Sequence, residues 1–133
     1  MEDQRRDCDR IVQEAIRRGP AVRRALEGRE FGPGRLLLVS VGKAGWSMAQ
    51  AAWECLGERL DGRIVITKHG HAQGPIGPLA IREAGHPVPD EDTFSATGEA
   101  LALTGELTEE DTVLFLLSGG GSALFEAPLV PRE

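Results

Sequence analysis

The rhythm of hydrophobic and polar positions changes several times along the chain, and each change marks an element. Over residues 3–18, Ile11, Val12, Ala15 and Ile16 fall at helical spacing among charges, which predicts an amphipathic helix. Gly19 and Pro20 stop it, and Pro20, preset for a first helical turn, opens a second short helix over AVRRALE. The run RLLLVSV at 35–41 lacks polar alternation and has strand length, so it reads as a strand buried on both faces. Residues 45–58 return to helical spacing, with Trp46, Ala49, Trp53 and Leu56 on one stripe that reads as core. A second buried strand follows at 63–67 in GRIVITK. After the Gly/Pro-rich loop KHGHAQGPIGP comes a weaker third strand, LAIREA, at 79–84. Residues 91–107 form the next helix, with Asp90 placed as its N-cap and Glu91 and Asp92 suited to the helix dipole. A fourth strand, TVLFLLS, ends at a cluster of glycines, after which a helix has barely begun when Pro128 cuts it off.

Apolar strands alternating with helices predict a parallel sheet covered on both sides, a Rossmann-like α/β/α architecture with strand order 3-2-1-4. The loop before the third strand is too rich in glycine and proline for a crossover helix. A parallel strand reached through an irregular loop is favoured over an antiparallel edge. Four such apolar strands would ordinarily be covered further, so an uncovered edge and uncovered helix faces are expected to promote self-association.

Composition narrows the function classes. A chain of 133 residues with 41% hydrophobic content is long enough for one globular domain. The net charge of −6 argues against a nucleic-acid or anionic-membrane surface, but leaves room for a small anionic ligand held by one or two local cations. No apolar run approaches the roughly 18 residues of a membrane span, and the N-terminal stretch lacks the apolar core of a signal peptide, so the expected setting is cytoplasmic. Cys8 and Cys55 lie in helical segments without a metal-binding spacing and read as buried small hydrophobes.

The candidate chemistry lies at strand ends. In the order 3-2-1-4 the first and fourth strands are neighbours, so the loops VGKAG and SGGGS face one crevice. The first offers Gly42 and the charge of Lys43, with backbone amides at a helix start; the second offers Gly119, Gly120 and Gly121 for close backbone approach, with Ser118 and Ser122 as hydroxyl donors. Together they predict an anion site. Neither loop is a Walker A motif or a dinucleotide fingerprint. The second strand ends in Thr67 and Lys68 where a nicotinamide enzyme would carry an acid for the ribose. His69 and His71 have no third ligand nearby in sequence, so solvent exposure is favoured and no metal site is assigned. His86 and Asp90 read equally well as crevice residues and as turn and cap chemistry.

The strings VSVGKAGWSMAQAA, GRIVITKHGHA, EAGHPVPDE and LLSGGGSALFEAP, in this order, resemble the amino-terminal part of the glycerate 2-kinase family, the kinases with a MOFRL carboxyl-terminal domain. The resemblance runs over nearly the whole chain. It implies transfer of the terminal phosphoryl group of ATP to the 2-hydroxyl of D-glycerate, with a divalent metal such as Mg2+. It also implies that residues 1–133 are the first part of a Rossmann-like domain whose remainder, with the MOFRL domain, lies elsewhere. By motif, Lys43 would be the essential charge near the transferred group and residues 118–122 a phosphate-binding loop, while His86 and Asp90 belong to a family string of unassigned role. Members also carry the name hydroxypyruvate reductase. The alternative from another class is a noncatalytic anion- or nucleotide-binding module, and the chain alone is expected to be inactive.

Overall fold

The computed structural model describes residues 19–127; the helix expected at 3–18 and Cys8 lie outside them. In chain order the elements are α1 (Gly19–Leu26), β1 (Leu36–Val41), α2 (Gly45–Leu56) with a 3-10 turn (Gly57–Arg59), β2 (Gly62–Lys68), β3 (Ala80–Ala84), α3 (Glu91–Leu103), β4 (Thr112–Leu117) and the single turn α4 (Gly121–Leu124). The four strands form one sheet in the order β3-β2-β1-β4, and every pairing is parallel. Val39 of β1, for example, lies between Ile64 of β2 and Phe115 of β4. All four strands therefore present their carboxyl ends, and the loops that follow, on one edge.

Burial explains why the apolar runs became strands. All six residues of β1 are buried, because β1 lies inside the sheet and has helices on both faces. On one face Leu36, Leu38 and Val65 pack with Val22 and Leu26 of α1 and with Met48, Ala49 and Ala52 of α2. On the other, Val39, Val41, Ile64 and Ile66 pack with Ala96 and Ala100 of α3 and Leu124 of α4. Each face thus buries a full row of branched side chains, at roughly 1.5–3 kcal/mol per large residue.

The third strand is parallel without a crossover helix, as favoured above. Residues 69–79 manage this because the loop has its own core: Ile76 and Leu79 are buried in the α1/α2 cluster. Trp46 donates its Nε1 hydrogen bond to the Gly74 carbonyl at 2.8 Å, and Gly77 lies against the Trp53 ring. The two tryptophans are core residues, as expected, and also the support on which this loop crosses the sheet.

Several expectations are corrected. β4 alternates between half-buried and exposed positions: Leu114 and Leu116 pack toward the α1/α2 side, while Val113, Phe115 and Leu117 are only partly covered on the α3 side, where Phe115 meets the Phe125 ring edge-on and Leu117 lies against Gly121 of α4. An all-apolar strand signals burial but not which face has a partner. Cys55 is exposed, not buried, since it falls beside Glu54 and off the stripe of Trp46, Ala49, Trp53 and Leu56. The ends of α2 and α3 also fall short of 58 and 107. Gly57 at φ +51° diverts the first, and Thr104 caps the second with its N–H and Oγ1 on the Ala100 carbonyl.

Candidate anion site at the carboxyl edge of the sheet

The loop after β1 is held from both sides. Gly42 donates its N–H to the Ile66 carbonyl of β2 at 3.0 Å, Lys43 to the Gly119 carbonyl at 2.9 Å and Gly45 back to Gly42 at 2.9 Å. Ala44 donates to Ser118 Oγ at 3.0 Å, Thr67 Oγ1 donates to the Gly42 carbonyl at 2.9 Å, and Ser40 Oγ donates to the Gly45 carbonyl at 2.8 Å. The amides expected to face a ligand from this loop are therefore spent within the protein. What the loop presents is the exposed Lys43 side chain, on a backbone that its neighbours fix. Gly42 serves that arrangement by shape: at φ +127° a Cβ on it would lie 2.1 Å from Ser118 Oγ.

The loop after β4 is organised differently. Ser118 is buried, and its hydroxyl braces the two loops instead of standing free. Gly121 donates its N–H to the Ser118 carbonyl at 3.3 Å, closing a turn that leads into α4. No acceptor for the amides of Gly119 or Gly120 is present among the described residues. The donors this loop can offer an anion are those two amides and the exposed Ser122 hydroxyl, one glycine fewer than the sequence suggested. Gly120, at φ +81°, is the point of convergence. A Cβ there would come within 2.7 Å of His86 Nε2 and 3.4 Å of Lys43 Cε. The loops after β1, β3 and β4 thus meet over one glycine.

The structure divides His86 from Asp90. His86 joins Lys43 and Gly120, whereas Asp90 takes the capping role: its Oδ1 accepts from the Thr93 N–H at 3.0 Å and the Gly85 N–H at 3.1 Å. Thr93 Oγ1 in turn accepts from the Asp90 N–H. Burial alone would raise the Asp90 carboxyl, but the Thr93 N–H, the His69 ring and the Gly85 N–H outweigh it and hold the group at about 2. His86 is pushed below 6.5 first by burial and then by the positive fields of Lys43, Lys68 and His71. Those groups make a local positive pole in a chain of net charge −6.

The Asp90 arrangement carries a pH prediction. Its folded pKa lies below its unfolded value, so the stability it contributes is complete above about 4 and is lost as pH falls toward about 2. Asp111 acts in the same window. The Thr108 and Arg35 N–H groups hold its carboxyl at about 2. Asp90→Ala should cost about 1 kcal/mol at neutral pH, the value of a helix N-cap, and flatten the acid limb of the stability curve. Equal denaturation midpoints for wild type and variant from pH 7 down to 3 would show that the cap does not matter.

Residues 4–131 match the model of a family described as a domain of unknown function, DUF4147. The chain belongs to that family. It is 59% identical over 95 residues to the D-glycerate 2-kinase of Thermotoga maritima, an alignment covering 71% of this chain and 23% of that protein. It is 35% identical over 132 residues to the glycerate 2-kinase of Pyrococcus horikoshii, covering 90% of this chain and 29% of the relative. The crystal structure of a glycerate kinase from Thermotoga maritima superposes with a TM-score of 0.78 at 45% identity, covering 97% of this chain and 31% of that one. The chain thus spans less than a third of the length of these relatives.

Sequence reasoning missed a second cluster on the same edge. His69 Nε2 lies 3.0 Å from Asp90 Oδ2 and 3.3 Å from Asp92 Oδ2. The partners that His69 lacked nearby in sequence come from the start of α3, because β2 and β3 run parallel and end together. The signal was topological: once β3 is parallel, the loops after β2 and β3 must meet. One imidazole and two carboxylates within 4.8 Å of one another suit a transition-metal ion better than Mg2+, which takes oxygen ligands. His69 is half exposed and already paired with both carboxylates, which accounts for the cluster without a metal. His71 was weighed with His69 as a metal ligand and read as solvent-exposed. The structure turns His71 to the Lys43 carbonyl at 3.3 Å.

Proposed function

We propose that this chain supplies the phosphoryl-binding half of an ATP-dependent D-glycerate 2-kinase, as the amino-terminal part of its first domain. The observation that carries this reading is the convergence of the Lys43 side chain, the His86 ring and the acceptor-free amides of Gly119 and Gly120 around Gly120. In phosphoryl transfer the glycerate 2-hydroxyl oxygen bonds to the γ-phosphorus as the bond to the ADP oxygen breaks, and negative charge spreads over the equatorial oxygens. A fixed cation and backbone donors aimed at those oxygens are what the reaction requires. Lys43 would neutralise the transferring group, and Gly119, Gly120 and Ser122 would hold it. Gly42, Gly121 and Ser118 would keep the two loops in register. Mg2+ would arrive on the nucleotide phosphates, since it is ordinarily held by substrate phosphates with one or two carboxylates and not by an all-protein cage.

The reductase reading has less support. Thr67 Oγ1, at the end of β2 where a dinucleotide enzyme places its ribose-binding acid, is committed to the Gly42 carbonyl. A noncatalytic anion-binding module would keep the same convergence but never turn over. The deciding experiment is an assay of ATP- and D-glycerate-dependent 2-phosphoglycerate formation by a full-length family protein that carries these residues, beside the chain alone. Turnover in the former and none in the latter is expected, because in-line transfer needs both substrates held together. Absence of turnover in both would favour the module.

No helix among the described residues is long and apolar enough to cross a membrane; for the kinase reading we propose a cytoplasmic setting. As a partner for the exposed row Val113, Phe115 and Leu117 we propose a second copy of the chain. Among the described residues β4 is the outermost strand beside β1, and its outer backbone edge would pair alongside these apolar side chains. Sedimentation should show self-association that Phe115→Lys reduces; a monomer at all concentrations would refute this.

A further inference from the structure

We infer that His86 acts as a neutral hydrogen-bond donor, through Nε2–H, to a phosphoryl group beside Gly120, and not as a general base. The inference rests on the phosphoryl-site reading above and assigns a role within that site.

Two observations fix the direction of the ring. Nδ1 of His86 is buried and has no hydrogen-bond partner. The Nε2 edge of the ring lies against Gly120, with Nε2 2.7 Å and Cδ2 2.8 Å from where a Cβ on that glycine would stand. A neutral imidazole carries one N–H and one lone pair. A proton on Nδ1 would bury a donor without an acceptor, which native structures almost never do. Free neutral histidine already favours the proton on Nε2, and the buried Nδ1 here gives no reason to reverse that preference. The N–H therefore lies on the ring edge beside Gly120 and the Lys43 side chain.

The surroundings keep the ring neutral. Burial, Lys43, Lys68 and His71 all oppose a positive charge on His86, and the acidic groups nearest in the same loop are engaged elsewhere: Asp90 caps α3 and pairs with His69. A general base accepting the substrate hydroxyl proton would need its lone pair on Nε2, which this tautomer lacks. A donor N–H beside the Lys43 ammonium instead matches a group whose oxygens are all acceptors. Gly120 is part of the device, because a side chain there would occupy the space in front of Nε2.

The test is nitrogen-detected NMR of the imidazole in the full chain, followed by addition of inorganic phosphate and, separately, of D-glycerate. At neutral pH the His86 ring should show the Nε2–H tautomer, and phosphate should shift Nε2 together with the Gly120 amide. D-glycerate alone, offering a carboxylate but no phosphoryl group, should perturb Nε2 less. His86→Phe keeps a flat ring but no donor and should weaken phosphate binding at least about tenfold, the value of one hydrogen bond to a charged group. His86→Gln, which returns an N–H at similar reach, should restore most of it. An Nδ1–H tautomer, or phosphate moving Lys43 and Gly120 while Nε2 stays still, overturns the donor role and leaves the anion site standing. No response to phosphate at Lys43, Gly119 or Gly120 would remove the anion site and the donor role together.

Discussion

Replacing Lys43 with methionine in a full-length family protein carrying this segment is expected to lower kcat by about 100-fold or more, with a smaller change in KM for glycerate. Methionine matches the length and apolar stem of lysine, so packing over Gly120 is preserved and the change removes only the charge. The ammonium is the one full positive charge that the β1 loop presents, because the amides of Gly42, Lys43, Ala44 and Gly45 are engaged within the protein. Its loss falls on the transition state, where charge on the transferring group is most dispersed. Deleting a single fixed electrostatic donor in comparable sites costs about 100- to 1000-fold. Steady-state kinetics with ATP and D-glycerate decides the matter, and unchanged turnover would remove Lys43 from the mechanism.

Gly42→Ala should be the most damaging small substitution in the site. One methyl group would have to occupy space 2.1 Å from Ser118 Oγ and 2.8 Å from the Ser118 carbonyl, at a φ of +127° that alanine resists. Backbone strain contributes about 1–3 kcal/mol and overpacking a similar amount, so a loss of about 3 kcal/mol or more is expected. The gap would open where Lys43 meets Gly119, so anion binding should fall along with stability. Adding Ser118→Ala would relieve the contact with the hydroxyl but not that with the carbonyl, and should recover only part of the loss. Urea denaturation measures both variants. A midpoint for Gly42→Ala within 1 kcal/mol of wild type would mean that the loops are not locked together as described.

The layout of the sheet was legible because it follows from runs of residues. LLLVSV and the IVIT of β2 have no polar alternation and no helical spacing, so they had to be interior parallel strands, and Asp90 stood where an N-cap belongs. The carboxyl-edge location of the site followed from strand order. What could not be read were matters decided by partners far away in sequence. Whether the amides after β1 face a ligand depends on the Ile66 and Gly119 carbonyls and on Ser118 Oγ, none of them near Gly42 in the chain. His69 looked partnerless because its carboxylates are 21 and 23 residues on, brought in by the parallel β2–β3 pairing. That some apolar surface would stay uncovered was expected, but that it falls on Val113, Phe115 and Leu117 could not be read, because hydrophobicity marks a preference for cover and only the packed layers tell where cover is. The exposure of Cys55, by contrast, was open to view, since the residue lies off the apolar stripe that defines α2.

Whether SGGGS is a phosphate cradle or only a turn is settled most directly by following backbone amides while inorganic phosphate is added to the chain. The amides of Gly119 and Gly120 should shift together with the Lys43 resonances, Gly121 should respond less because its N–H is held by Ser118, and added salt should weaken the response by screening the lysine charge. In Gly120→Val, whose side chain would enter the space beside His86 and Lys43, these shifts should vanish. Phosphate that perturbs Lys43 but leaves Gly119 and Gly120 unmoved would contradict the account and make the glycine cluster a simple turn.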